Sequence, residues 1–314
     1  MALKLPTPKT PFRIGTRGSP LALAQAHETR DRLIRAFDLV ADAFEIVVIK
    51  TTGDLVQDRP LKELGGKGLF TKEIEEALTD GRIDIAVHSM KDMPVKQPDG
   101  LALETFLPRE DVRDAFISSR FADLAGVPAG TRVGTSSLRR KAQLLSKRPD
   151  LEVVEFRGNV QTRLSKLDDG VAACTFLAMA GLKRLGLADV AASAIDPSDM
   201  LPAVAQGAIG IERRETDNRA GGMLEAINDL QTQQRLAAER AFLEALDGSC
   251  DTPIAGLAEL SGNSLRLRGE ILKTDGSETH FDEAEAAIED GPALGREMAQ
   301  GLLAKAGTGF FDWR

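Results

Sequence analysis

Two segments of the chain repeat one arrangement, and that repeat restricts the fold more than any other feature. Phe12-Arg13-Ile14 runs into Gly15-Thr16-Arg17-Gly18-Ser19-Pro20, and Arg132-Val133 runs into Gly134-Thr135-Ser136-Ser137-Leu138-Arg139-Arg140. Each reads as a short strand, a Gly-Thr turn, a serine N-cap and a helix that carries a later Ala-Gln pair. Pro20 suits the first helical position of the first copy. A helix N-terminus leaves N–H groups unpaired and carries the positive end of the helix dipole, so such a turn is a ready anion receptor. Arg17 in one copy and Arg139 and Arg140 in the other add fixed positive charge. The repeat implies two α/β domains, each presenting a cationic helix mouth.

The surrounding pattern agrees. Further strands are expected at Phe44 to Thr51, Ile83 to His88, Leu101 to Leu107, Ala115 to Ser118, Leu151 to Phe156, Val171 to Thr175 and Ala208 to Glu212. Helices are expected at Pro20 to Phe37, Thr71 to Leu78, Leu138 to Lys147, Val160 to Leu167 and Ala178 to Leu185. Alternation of this kind predicts parallel sheets. The last third changes character: helices around Asp217 to Leu230 and Gln233 to Leu246, strands at Ile254 to Leu260, Leu265 to Leu272 and Glu278 to Asp282, then a helix from Ala293 to Ala304. Turns at Gly262-Asn263 and Asp275-Gly276 join consecutive strands, which predicts a separate small α+β domain built on an antiparallel sheet. Pro108 to Arg113 and Leu201 to Gln206 read as the two crossings between the first two domains. The expected division is 1–107 with 207–226, then 113–201, then 230–314, with ligand bound in a cleft between the first two.

Charge narrows the ligand. The chain has 48 acidic and 40 basic residues, a net charge of −8, so as a whole it repels nucleic acid and anionic membrane. Aromatic residues are 4%, too few for a stacking platform along single-stranded nucleic acid. An anion must therefore be gripped locally. No apolar run approaches a membrane span and residues 1–11 lack a hydrophobic signal core, so a cytoplasmic location is expected. Cys174 and Cys250 show no paired metal-ligand spacing, and His27, His88 and His280 are scattered, so neither a metal site nor a Ser/His/Asp triad is expected. Gly65-Gly66-Lys67-Gly68 has the wrong spacing for a nucleotide P-loop.

Cations cluster instead at predicted strand ends: Arg17 beside Ser19, Lys67, Lys91 within Ser89-Met90-Lys91-Asp92, Arg139 and Arg140, Arg157 before Gly158-Asn159, and Arg163. An isolated arginine usually just faces water, but a set at strand ends next to Gly, Ser and Asn points to carboxylate or phosphate, which the planar guanidinium grips bidentately.

Several of these segments resemble one family. Val87-His88-Ser89-Met90-Lys91-Asp92-Met93-Pro94, Gly65-Gly66-Lys67-Gly68-Leu69-Phe70, Gly134 to Arg140, Arg157-Gly158-Asn159-Val160, Ala180 to Leu187 and Ala205-Gln206-Gly207-Ala208 are together similar to hydroxymethylbilane synthases, also called porphobilinogen deaminases, in order and spacing over nearly the whole chain. The resemblance implies two α/β domains like type II periplasmic binding proteins plus the small C-terminal α+β domain with a three-stranded antiparallel sheet. It implies head-to-tail condensation of four porphobilinogens, with loss of ammonia, on a dipyrromethane primer bound to a cysteine, then hydrolytic release of the linear product. It makes Cys250 the attachment site and leaves Cys174, in an apolar run, as a buried small hydrophobe. Ser89, Lys91, Asp92, Thr135, Ser137, Arg139, Arg140 and Gly207 would hold the primer, and Arg17, Ser19, Lys67, Phe70, Arg157, Arg163, Arg184 and Gln206 the substrate and growing chain. Asp92 would be the catalytic group, a carboxylate able to stabilise pyrrolic cations and move protons. A monomer free of metal, nucleic acid and membrane is implied. The alternative from another class is a non-catalytic anion-binding protein with the same two-domain layout.

Overall fold

The computed structural model describes residues 3–52, 71–248 and 252–311. Lys67, Phe70 and Cys250 lie outside these residues. The chain divides into two compact units, Met1–Glu110 with Ala208–Gln233, and Asp111–Gly207 with Gln234–Arg314.

The first unit is built on a sheet of β1 (Phe12–Thr16), β2 (Phe44–Val48), β3 (Ile85–Ser89), β4 (Leu101–Phe106) and β10 (Ile209–Arg214), ordered β2-β1-β3-β10-β4. Strand β1 runs parallel to β2 and β3, while β10 is antiparallel to β3 and β4. The sheet is thus mixed rather than purely parallel, because β10 returns to the unit from a distant part of the chain and enters in the opposite sense. Helix α1 (Pro20–Phe37) starts where expected: Ser19 accepts from Ala22 N at 3.2 Å, and Pro20 sits in the first turn. It ends at Asp38, in the left-handed region at φ 51°, whose N–H returns to Ile34 O. Its inward residues Ala26 and Leu33 pack with Phe12, Ile14, Val87, Ile209 and Ile211. Helix α2 (Lys72–Thr79) covers the other face through Ile74, Ala77 and Leu78 against Ile83 and Ala86.

The second unit repeats that sheet. Its strands β5 (Asp114–Ile117), β6 (Arg132–Gly134), β7 (Glu152–Val154), β8 (Cys174–Ala178) and β9 (Ser193–Ala194) are ordered β7-β6-β8-β5-β9, again with two parallel pairs at one side of the sheet and an antiparallel strand, here β5, next to them. Strand by strand, β6 occupies the place of β1, β7 that of β2 and β8 that of β3. The sequence repeat is therefore a repeat of structure: Ser137 caps α3 (Leu138–Lys147) by accepting from Arg140 N, as Ser19 caps α1. Gly134 is required at its turn, since a Cβ there would stand 2.5 Å from the Phe156 ring. Helices α4 (Val160–Asp168), capped by Asn159, and α5 (Met179–Arg184) complete this layer. Phe116 and Phe176 meet at its centre with ring centroids 6.1 Å apart, both fully buried.

Strand β8 begins at Cys174 rather than Val171. Val171 N closes the end of α4 by donating to Lys166 O, so the strand starts only after that turn and runs on through the buried Phe176 and Leu177.

After α6 (Asn218–Glu225) and α7 (Leu230–Ala245) come β11 (Ile254–Ser261), β12 (Ser264–Leu272) and β13 (Thr279–Ala287), an antiparallel sheet in that order, followed by α8 (Gly291–Ala306). Strand β13 extends five residues past the predicted Asp282, to Ala287. Its Glu-Ala run has little strand propensity of its own and is held by pairing with the whole of β12. In α8 a Cβ on Gly295 would lie 2.4 Å from Ala238 O, so the glycine sets how closely α7 and α8 approach.

Candidate active site

In the first unit, β3 delivers the key segment. It ends at Ser89 and passes into a single 3-10 turn, Met90–Asp92, whose start is tied down by Met90 N donating to Ala208 O at 3.0 Å. Arg17 and Ser19, at the mouth of α1, line one pocket together with Gln25, His88, Ser89 and Asp92. Four residues singled out from the sequence are thus brought to one place. Asp92 is exposed, and Lys91 beside it is half-buried. Gln25, buried on α1, fixes Ser89 by donating from Nε2 to its hydroxyl at 2.8 Å. At the pocket wall His88 Nε2 lies 3.2 Å from Glu212 Oε2. The register places Ala86 opposite Glu212 and His88 opposite Gly210, so both polar side chains share the face that α2 covers. Glu75 on α2 feels both, and burial pushes its carboxyl above the ordinary range.

In the second unit the cations behave differently from the expected open mouth. Arg139 and Arg140 are each only 4% exposed and turn inward onto Asp114, the fully buried first residue of β5. Asp114 receives Arg139 Nη2 at 2.8 Å, Arg140 Nη2 at 2.7 Å and Gln206 Nε2 at 2.9 Å. Arg139 also donates from Nη1 to Gln143 Oε1 and Leu201 O, and Arg140 from Nη1 to Phe176 O. Burial alone would raise Asp114, but the two guanidiniums outweigh it and hold the carboxyl well below the usual range. Burial weakens proton binding at Arg139 in turn. Two guanidiniums share one carboxylate in this hub, and Arg139 Nε is buried without a hydrogen-bond acceptor. Nearby, Thr135 Oγ1 accepts from Ser137 N at 3.2 Å, and Thr175 Oγ1 donates to Gly134 O.

Arg184 Nη2 donates to the carbonyl of Gly207 at 3.1 Å, which unites two further expected residues; Gly207 needs its glycine because φ is 88°. Arg157 and Arg163 are half-buried and flank the α4 cap, where Lys166 Nζ donates to Arg157 O at 3.0 Å. Cys174 is fully buried and burial pushes its thiol up to about 12, the state of an inert core residue. Among the described residues no group of three His, Cys, Asp or Glu side chains is arranged to hold a metal ion.

Sequence reasoning missed Asp114, Gln143, Gln25 and the His88–Glu212 pair as working parts of these sites. A signal existed for the two glutamines: each belongs to the Ala-Gln pair of the repeat, and each is buried. Asp114 was visible as an acid opening the apolar run Ala115-Phe116-Ile117.

The site thus consists of two copies of one α/β layer, each with a serine-capped helix mouth, and an exposed carboxylate, Asp92, in a pocket beside the first mouth. Comparison with known proteins makes this specific. Residues 12–221 match the family model described as porphobilinogen deaminase, dipyrromethane cofactor binding domain, and residues 233–304 match porphobilinogen deaminase, C-terminal domain. The chain is 64% identical over 310 residues to the porphobilinogen deaminase of Paracoccus denitrificans (strain Pd 1222), covering 99% of both proteins. It belongs to the porphobilinogen deaminase family. Solved structures similar to it include the methionine binding protein MetQ (16% identity, 73% of this chain and 91% of that one, TM-score 0.43) and an ABC transporter periplasmic substrate-binding protein from Coxiella burnetii (15% identity, 70% and 93%, TM-score 0.40).

Proposed function

We propose that this chain is a hydroxymethylbilane synthase, a transferase that joins four porphobilinogens head to tail with release of ammonia and then frees the linear tetrapyrrole. Family membership over the full length and the presence of Asp92 in a pocket with Arg17, Ser19 and Ser89 carry the reading.

The residues fit the dipyrromethane that the family binds. Its pyrroles bear carboxylates, and the second unit offers a buried cluster with two guanidiniums against one carboxylate and a spare Nε–H on Arg139. Dipyrromethane, when bound, supplies the pyrrole carbon to which the first substrate is joined. On our reading Cys250 carries it as a thioether, and Ser89, Lys91, Asp92, Thr135, Ser137, Arg139, Arg140 and Gly207 hold it. Arg17, Ser19, Lys67, Phe70, Arg157, Arg163, Arg184 and Gln206 serve the substrate side. A carboxylate and a guanidinium about 4 Å apart attract by about 4 kcal/mol at an effective dielectric near 20, before desolvation, so a row of such contacts gives both affinity and register.

Asp92 is the group we assign to the chemistry. When ammonia leaves the aminomethyl carbon of the substrate, positive charge spreads over its pyrrole, and a carboxylate at the N–H stabilises it. After the new carbon–carbon bond forms, a proton must leave the ring carbon, and the same carboxylate can take it to solvent. Exposure of Asp92 gives that proton an exit.

The proposal includes three domains, 1–107 with 207–226, 113–201 and 230–314, a reading favoured by the three separate sheets. It includes a cytoplasmic monomer without nucleic-acid or membrane partners; the net charge of −8 supports the latter. Intact-mass analysis of the chain given porphobilinogen tests the function: successive additions of the substrate mass less ammonia are expected on a primed chain. A primed chain that takes up no further rings would overturn it.

A further inference from the structure

The Asp114 hub is tied to the small sheet by a chain of hydrogen bonds that the proposed reaction leaves unused. Glu270 on β12 accepts from Gln143 Nε2 at 2.6 Å. The same Nε2 donates to Leu201 O at 3.1 Å, while Gln143 Oε1 accepts from Arg139 Nη1 at 3.0 Å. Two acceptors face one end of the amide and a donor faces the other, so only one of its two orientations satisfies all three neighbours. A flipped amide would set its oxygen against the Glu270 carboxylate and its N–H groups against the guanidinium. Leu201 O alone distinguishes the orientations less sharply; Glu270 makes the flip prohibitive.

Backbone packing holds this link in place. The turn between β12 and β13 rests on α3, where a Cβ at Gly276 would meet Ser146 N at 2.5 Å and Ala142 O at 2.7 Å. Gly276 also has φ 74°, so the close approach depends on glycine. In the sheet Glu270 pairs with Ala255, next to Ile254 where β11 begins, and that strand follows Cys250 in the sequence. The hydrogen-bond chain therefore runs from the first residues of β11's ladder to the guanidinium that faces Asp114.

We propose that Glu270, acting through Gln143, is a positioning residue for Arg139, holding its guanidinium against Asp114 with the Nε–H left over for a carboxylate of the dipyrromethane, and so coupling the small sheet to primer assembly. This rests on the reading of Arg139 as a primer-holding residue. Glu270 is linked to Arg139 through Gln143, so its effect passes through one amide. Burial pushes the Glu270 carboxyl above the ordinary range, while the hydrogen bond from Gln143 pulls it the other way.

The test is the rate at which full-length chain, produced in cells that make no porphobilinogen, acquires the covalent increment after porphobilinogen is added, followed by intact mass. Glu270→Leu and Gln143→Leu should load about tenfold more slowly, the size typical when an outer partner of a ligand-holding side chain is lost. Glu270→Gln keeps an acceptor for Gln143 and should load within about threefold of the unaltered chain. The Glu270→Leu, Gln143→Leu double variant should be no slower than Gln143→Leu alone, because both break one chain. Near-ultraviolet circular dichroism checks that each variant folds; should Glu270→Leu fail, Gln143→Met decides in its place. Leucine variants loading at the unaltered rate, an additive double variant, or Glu270→Gln as slow as Glu270→Leu would each overturn the inference. Arg139→Gln is the accompanying control. If it loads normally, the primer-holding reading of Arg139 falls and takes the inference with it; if it loads slowly while Glu270→Leu does not, the inference alone falls.

Discussion

His88 Nε2 and Glu212 Oε2 lie 3.2 Å apart with side chains 5% and 0% exposed, a buried polar pair whose histidine lines the same pocket as Ser89 and Asp92. Each side chain is the other's answer to burial. Replacing Glu212 by leucine leaves the imidazole without its partner and should cost about 1–3 kcal/mol in urea unfolding. Replacing both by leucine should cost less than the sum of the single changes, since no polar group is then stranded. Additive losses would show that the pair is not coupled.

Stability should depend on pH with two opposite signs. Glu75 and Glu270 are raised, each chiefly by burial, so between the ordinary carboxylate value and the raised one the folded chain binds more protons than the unfolded chain. Stability therefore declines as pH rises through that interval, and Glu75→Gln or Glu270→Gln should flatten the decline. Asp114 is depressed, burial being outweighed by Arg139 and Arg140. Its contribution is complete above the ordinary carboxylate value and is lost as pH falls toward its folded value, so Asp114→Asn should remove that acid-side loss. Melting temperatures recorded from about pH 2 to 7 follow the decline on the raised carboxyls and the onset of the acid-side loss at Asp114.

Asp92→Asn should keep the fold and lose about 10²–10³ in the rate of ring addition, the usual result of removing a preorganised charge. Asp92→Glu should retain more activity than the asparagine variant. Single-turnover measurements normalised to primer content by mass make the comparison. An asparagine variant within about threefold of the unaltered chain would remove Asp92 from the chemistry.

The arginines should separate into two classes. Arg139→Ala and Arg140→Ala each leave Asp114 with one guanidinium, which should destabilise the chain by about 3–5 kcal/mol and leave it poorly primed. Arg17→Ala and Arg163→Ala should carry primer and stall during elongation. Mass spectra of purified variants and of their partly elongated species show which class each belongs to; full priming of both Arg139→Ala and Arg140→Ala would contradict the assignment.

Cys174 should stay unmodified in the folded chain, because it is fully buried and its thiol is pushed up to about 12. Peptide mapping should therefore find the covalent increment on Cys250, and Cys250→Ser should fold and lack it. An increment on the Cys174 peptide would reverse the assignment.

The features legible in the sequence are those made by neighbours along the chain. Ser19 accepting from Ala22 N, Ser137 from Arg140 N and Asn159 from Thr162 N are contacts across three residues, and hydroxyl or amide side chains at helix starts announce them. The duplicated Gly-Thr turn marked the two sheets because each turn needs the same backbone, and at Gly134 the same room. The Ser89 to Asp92 segment stood out because its residue types act together within one turn of chain.

What the sequence left undecided was the direction in which polar side chains point and what meets them there. Arg139 and Arg140 have the same composition whether they face a ligand or a buried acid; only the placement of β5 against β8 and α3 brings Asp114, 25 and 26 residues away, under their guanidiniums. Glu212 is 124 residues from His88 and Glu270 is 127 from Gln143, separations at which no local pattern reports a partner. The long tail of β13 is settled by the strand it pairs with, and the late start of β8 by the turn that closes α4 onto Val171, both set by more than local propensity. Local chemistry fixed the turns, caps and cationic segments; the tertiary fold, by burying charges that must then find partners, decided which of those cations answer to the protein itself.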